Sequence, residues 1–123
     1  MAERPKILVV DDDVGMCDTL SEILEDGGFA AATANDGEEA LDRVRQEEFD
    51  VVLMDIRMPK MNGVEACKIM RKEKPELVVF LMTAFTVETL VAEALSDLGV
   101  EVLSKPLDIE NMLAMIREAA GGR

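Results

Sequence analysis

The sequence predicts an α/β fold in which a parallel five-stranded sheet alternates with helices. Three observations carry this expectation. Five short apolar runs, residues 6–11, 29–34, 50–55, 77–82 and 100–104, are separated by stretches long enough for helices, which is a βα repeat taken five times. Several of the runs are unbroken, as in Val51-Val52-Leu53-Met54, the pattern of strands covered on both faces. The stretches between them carry helix-start and helix-stop residues where a crossover helix needs them. With 123 residues, 49% of them hydrophobic, the chain suits one domain with one core over residues 1–123.

Each element has its own signature. Ile7 to Val10 leads into Asp11-Asp12-Asp13, and the first helix is expected from Val14 to Asp26, stopping at Gly27-Gly28. The second helix opens with Asp36-Gly37-Glu38-Glu39 and the third with Asn62-Gly63-Val64-Glu65, both capping-box patterns. A helix from Thr86 to Asp97 is expected to stop at Gly99. The last helix sets Ile109, Met112, Leu113 and Ile116 at i, i+3, i+4 and i+7 on one buried face. Strands 1, 3 and 4 are unbroken apolar runs and belong in the middle of the sheet. Phe29-Ala30-Ala31-Ala32-Thr33 is Ala-rich and Val100-Glu101-Val102 alternates, so strands 2 and 5 belong at the edges. The resulting order, 2-1-3-4-5, matches the doubly wound, flavodoxin-like (βα)5 arrangement, with its switch point between strands 1 and 3.

Composition excludes some functions. A net charge of −13 opposes tight contact with DNA, RNA or an anionic membrane, which needs clustered Lys and Arg. A cation or a protein partner fits better. Cys17 and Cys67 belong to no CxxC pair and read as small buried hydrophobes in a reducing compartment. With no signal-peptide core after Met1 and no apolar run of spanning length, a soluble cytoplasmic protein is expected.

Ligands of an open α/β sheet sit outside the carboxyl ends of its strands. There the sequence sets Asp11, Asp12 and Asp13, then Asp55, Thr83 and Lys105-Pro106. Carboxylates 4 to 5 Å apart repel by roughly 3 to 4 kcal/mol at an effective dielectric near 20, so Asp11, Asp12 and Asp55 together call for a cation. Mg²⁺ suits all-oxygen ligands, whereas the chain has no His and no Cys pair for zinc. Asp13, Asp36, Asn62 and Asp108 instead stand just before helices and read as N-caps. Asp55 is the nucleophile candidate, able to form an aspartyl phosphate. Thr83 would hydrogen-bond a phosphoryl oxygen. Lys105 is a flexible point charge for another phosphoryl oxygen, or for Asp55 when no phosphate is present.

With these pieces in hand, the chain from Lys6 to about Ala119 closely resembles the receiver domains of bacterial two-component response regulators, the CheY-like superfamily. The matching motifs are Ile7-Leu8-Val9-Val10-Asp11-Asp12, Leu53 through Gly63, Thr83-Ala84 and Lys105-Pro106. The resemblance implies a phosphorylation-controlled switch, not a conventional enzyme, which catalyses its own phosphorylation and dephosphorylation. Asp55 would accept phosphate from a histidine kinase or a phosphotransfer protein. Asp12 would ligate Mg²⁺ directly, Asp11 largely through water, and the Arg57 backbone carbonyl would be a further ligand beside Asp55. The Lys105-Pro106 bond would be cis, and Ala84 would leave room for phosphate to enter. A downstream protein, a linked effector domain or a second copy would read the output, without direct nucleic-acid binding. One departure is Val102, where the family often has Tyr or Phe three residues before its Lys. Without an aromatic lever there, the response is expected at residues 83–90 and 103–108, and the output surface at the Thr86–Asp97 helix, the fifth strand and the last helix.

Two other readings compete. Asp11-x-Asp13, Thr83 and Lys105 loosely resemble the haloacid dehalogenase pattern of aspartate-nucleophile phosphatases. That reading would make Asp11 the nucleophile, and it fits Val14-Gly15 and the lone Asp108 poorly. The other is a receiver-like interaction module that works unphosphorylated, against which the complete acidic, Thr and Lys set argues.

Overall fold

Among the described residues, five parallel strands and four helices follow one another as β1 (Lys6–Val10), α1 (Val14–Asp26), β2 (Ala30–Ala34), α2 (Gly37–Gln46), β3 (Val51–Asp55), α3 (Gly63–Glu73), β4 (Val78–Thr83), β5 (Glu101–Ser104) and α4 (Ile109–Gly121). The structure is a computed structural model that describes residues 4–84 and 100–121. The helix expected from Thr86 to Asp97 lies outside the described residues.

The strand order is β2-β1-β3-β4-β5, with every adjacent pair parallel. The strands begin and end within a residue of the expected bounds. Alternation along the unbroken strands feeds two separate cores. Leu8, Val10, Val52, Met54, Val79 and Leu81 face one layer with Ala40, Leu41 and Val44 of α2 and Ala66, Cys67 and Met70 of α3. Ile7, Val9, Val51, Leu53, Phe80 and Met82 face the other, with Cys17, Leu20 and Leu24 of α1 and Met112 and Ile116 of α4. Both faces are therefore covered, which is why β1, β3 and β4 read as continuous apolar runs. The edge strands behave as their composition predicts: four of five β2 residues are only half-buried, and β5 buries just Leu103 fully. On α4, Met112 and Ile116 are buried while Ile109 and Leu113 pack at the margin of the same layer.

All four expected N-caps form. Oδ1 of Asp13 accepts from Met16 N at 3.1 Å, Asp36 from Glu39 N at 2.8 Å, Asn62 from Glu65 N at 3.0 Å, and Asp108 from Asn111 N at 3.1 Å. The reciprocal half of each expected capping box differs. Glu39 reaches back one residue further, accepting from Asn35 N at 2.6 Å, and Glu65 accepts from the Asn62 side-chain amide at 3.0 Å. A glutamate side chain is long enough to satisfy whichever nearby donor the incoming chain presents. Both cysteines are free and buried, and burial pushes each thiol up to about 11. No described helix is long and apolar enough to cross a membrane.

Candidate functional site

The carboxyl ends of β1, β3, β4 and β5 converge at one sheet edge because the strands are parallel and in register. Val10 pairs with Met54, Asp55 with Met82, and Thr83 with Ser104. Each chemistry-bearing residue is the last of its strand or follows it within two positions. Asp11 and Thr83 are each 1% exposed and Asp55 9%, whereas Asp12 lies at the surface. Carboxylate oxygens of Asp11, Asp12 and Asp55 all lie within 4.8 Å of one another. Asp13, turned away as the cap of α1, is not part of this group.

Lys105 crosses from the far side of β4 to meet the acids. Its Nζ is 3.2 Å from Oδ2 of Asp55 and 3.2 Å from Oδ2 of Asp11. The sequence points Lys105 at Asp55; the second contact, with Asp11, depends on both side chains reaching over the end of the sheet. The Lys105 backbone is anchored too, its N–H donating to the Thr83 carbonyl at 2.8 Å, and the Lys105-Pro106 peptide bond is cis.

Burial sets the electrostatics. Asp55 is held above the usual carboxylate range because desolvation disfavours its charge and Asp11 repels it, against the pull of Lys105. For Lys105 burial works against the ammonium, but Asp55 and Asp11 outweigh it and hold the group above the ordinary lysine value. Asp11 is tightly held, with Oδ1 accepting from Asp13 N at 3.0 Å and Oδ2 from Lys105. The remaining oxygen of Asp55, Oδ1, has among the described residues only a long 3.4 Å bond from Arg57 N. Of the two buried acids, Asp55 is the one with an oxygen to spare.

Loop geometry after β3 keeps Asp55 in place. Gly63 N donates to Ile56 O at 2.8 Å. A Cβ at Gly63 would overlap the Asp55 carbonyl oxygen and come within 2.9 Å of Ile56 Cα, so only glycine allows α3 to start this close to the strand. Sequence patterning places Gly63 at the opening of the third helix, but does not reveal the contact against Asp55. Lys60 takes the left-handed conformation, φ 68°, in the same loop. Asp12, Arg57, Met58, Pro59 and Asn62 border an open groove of about 700 Å³ beside the acids. Val102, the departure from the family pattern, is half-buried against the α2 and α3 layer, and Ala84 is exposed at the end of β4.

The donor set fits a hard divalent cation. Three carboxylates supply oxygen only, and the exposure of Asp12 leaves one side open to water, as Mg²⁺ favours. No described residue adds nitrogen or sulfur to that group.

Doubly wound sheets of this order host several functions, so fold alone leaves the function undecided. Residues 7–117 match the response regulator receiver domain model, and the chain belongs to that family. As a receiver domain, residues 7–117 form a phosphorylation switch, a class of domain that catalyses its own phosphorylation and dephosphorylation. The transcriptional regulatory protein ZraR of Klebsiella oxytoca is 40% identical over 95% of the chain, and the DNA-binding response regulator MtrA of Mycobacterium leprae is 35% identical over 93%. The chain spans only 26% of the length of ZraR and 50% of MtrA. Among solved structures, a CheY-like receiver from Methanospirillum hungatei superposes with a TM-score of 0.89 at 28% identity, covering 98% of this chain and 96% of that one. The response regulator TrrA of Thermotoga maritima, solved in complex with Mg²⁺ and BeF, gives a TM-score of 0.83 at 30% identity, covering 94% and 98%.

Proposed function

We propose that the protein is one receiver domain over residues 1–123 in which Asp55 takes a phosphoryl group from a histidine kinase or a histidine phosphotransfer protein. The observation that carries this is the Lys105 ammonium 3.2 Å from both Asp55 and Asp11, two of three carboxylates gathered within 4.8 Å. An oxygen of Asp55 attacks phosphorus, the P–N bond to the donor imidazole breaks, and its nitrogen takes the bonding electron pair, so the ring, protonated at its other nitrogen, leaves as neutral imidazole. Asp11, Asp12, Asp55 and the Arg57 carbonyl would hold Mg²⁺, which when bound offsets negative charge on the acids and the transferring group. Lys105 moves its charge from the Asp55 carboxylate to a phosphoryl oxygen, and Thr83 donates a hydrogen bond to another. A phosphoryl group at Asp55 thus pulls on the ends of β4 and β5, and the change is read at the segment following β4, at β5 and at α4 by a downstream protein, a linked effector domain or a second copy.

Acetyl phosphate with Mg²⁺ tests the assignment. Intact mass should rise by one phosphoryl group, peptide mapping should locate it on Asp55, and Asp55→Asn should take up none. Labelling at Asp11 would instead support the aspartate-nucleophile phosphatase chemistry, and equal labelling of parent and Asp55→Asn would remove Asp55 from the mechanism.

A further inference from the structure

Every polar atom of Asp11 has a partner. Beyond the bonds to its carboxylate, its N–H donates to the Ala34 carbonyl at 3.1 Å. Its own carbonyl oxygen accepts twice, from the Asn35 side-chain amide at 3.1 Å and from the Cys17 thiol at 3.3 Å. The two donors also touch each other, Asn35 Nδ2 lying 3.8 Å from Cys17 Sγ. They come from different elements: Cys17 is on the buried face of α1, and Asn35 is the residue directly after β2.

That carbonyl belongs to the peptide joining Asp11 to Asp12. Its orientation sets the direction in which the chain leaves β1 and therefore where the Asp12 side chain emerges. Asp12 sits at the surface, and among the described residues its side chain has no hydrogen-bond or ion-pair partner, so its placement rests on this peptide. From this geometry we infer that Asn35 and Cys17 are positioning residues for the cation site. They clamp the Asp11-Asp12 peptide so that Asp12 already faces Asp11 and Asp55 before any cation arrives. Composition alone makes Cys17 a small buried hydrophobe and leaves Asn35 without a role. The hydrogen bonds give both a task at the site.

The inference rests on the cation-site reading above, and the experiment separates the two. Mg²⁺ is titrated into the parent protein, Asn35→Ala, Cys17→Ala and Cys17→Ser, following amide NMR shifts near Asp12 and Asp55, with thermal melts in metal-free buffer alongside. Asn35 is half-buried, so its truncation leaves the apolar layers untouched. Losing one hydrogen bond that orients a ligand should weaken Mg²⁺ binding about three- to ten-fold. Both alanine variants should show that loss, and Cys17→Ser, which keeps a donor, should bind more tightly than Cys17→Ala. Melting points that fall while Mg²⁺ affinity stays at the parent value would overturn the inference and leave the two residues purely structural. A parent protein that binds no Mg²⁺ would overturn the site reading itself, and this inference with it.

Discussion

Replacing Asp55 with asparagine should stabilise the protein near neutral pH while abolishing phosphorylation. Asp55 lies no more than 4.8 Å from the Asp11 and Asp12 carboxylates, and at an effective dielectric near 20 its repulsion with the buried Asp11 is roughly 3.5 kcal/mol. The Lys105 ammonium at 3.2 Å returns about 5 kcal/mol on the same scale. The attraction exceeds that repulsion by roughly 1.5 kcal/mol, so desolvation decides, and the upward shift of the Asp55 carboxyl says that burial, helped by Asp11, outweighs Lys105. A group that binds its proton more tightly folded than unfolded weakens the fold once pH rises through its titration range. An amide keeps the shape, removes the charge and leaves Lys105 with Asp11. The net gain is on the order of 1 kcal/mol, a rise in Tm of about 3 to 6 °C for a domain of this size. Thermal melts in metal-free buffer between pH 3 and 8 provide the assay. The difference between parent and variant should be largest above pH 6 and vanish below the ordinary carboxyl pKa, where both side chains are neutral. A variant that melts lower than the parent at pH 7, or a difference unchanged at pH 3, would refute the electrostatic argument.

Three further expectations follow from the same geometry. Asp12→Ala should weaken Mg²⁺ binding, whereas Asp13→Ala should leave it intact and lose about 1 kcal/mol of stability with the α1 cap; calorimetric titration and chemical denaturation separate these effects, and the reverse pattern would exchange the two roles. Lys105→Met should lower stability by on the order of 1 to 2 kcal/mol at pH 7 to 9, because its raised pKa means the ion pairs act below the ordinary lysine value of 10.5 and fade as pH climbs through the folded value; denaturation curves that are parallel at pH 8 and pH 11 would contradict this. With beryllofluoride and Mg²⁺, amide shifts beyond the immediate site should concentrate at Thr83, Ala84 and residues 103–108. Changes confined to α1 and α2, with the Lys105 loop still, would exclude the route through β4 and β5.

The element order was readable because helix and strand leave local marks: apolar runs of strand length, caps such as Asp13 and Asn62, and the i, i+3, i+4, i+7 spacing of α4. Strand order was readable too, since burial on two faces keeps polar residues out of the interiors of β1, β3 and β4, leaving them only at the strand ends, and tolerates Thr33 and Glu101 within the edge strands. Even the gathering of Asp11, Asp12, Asp55 and Lys105 follows from parallel strands whose carboxyl ends must share one edge. What no local pattern could supply are contacts between residues far apart in the chain. The second ion pair of Lys105, with Asp11, needs the actual reach of both side chains over β3 and β4. Gly63 is a helix-opening glycine in sequence and becomes obligatory only when α3 starts against the Asp55 carbonyl. Asn35 and Cys17 share the Asp11 carbonyl because α1 and β2 bring their donors to one atom, and a hydrogen bond of about 3 Å depends on distances that residue spacing along the chain does not encode.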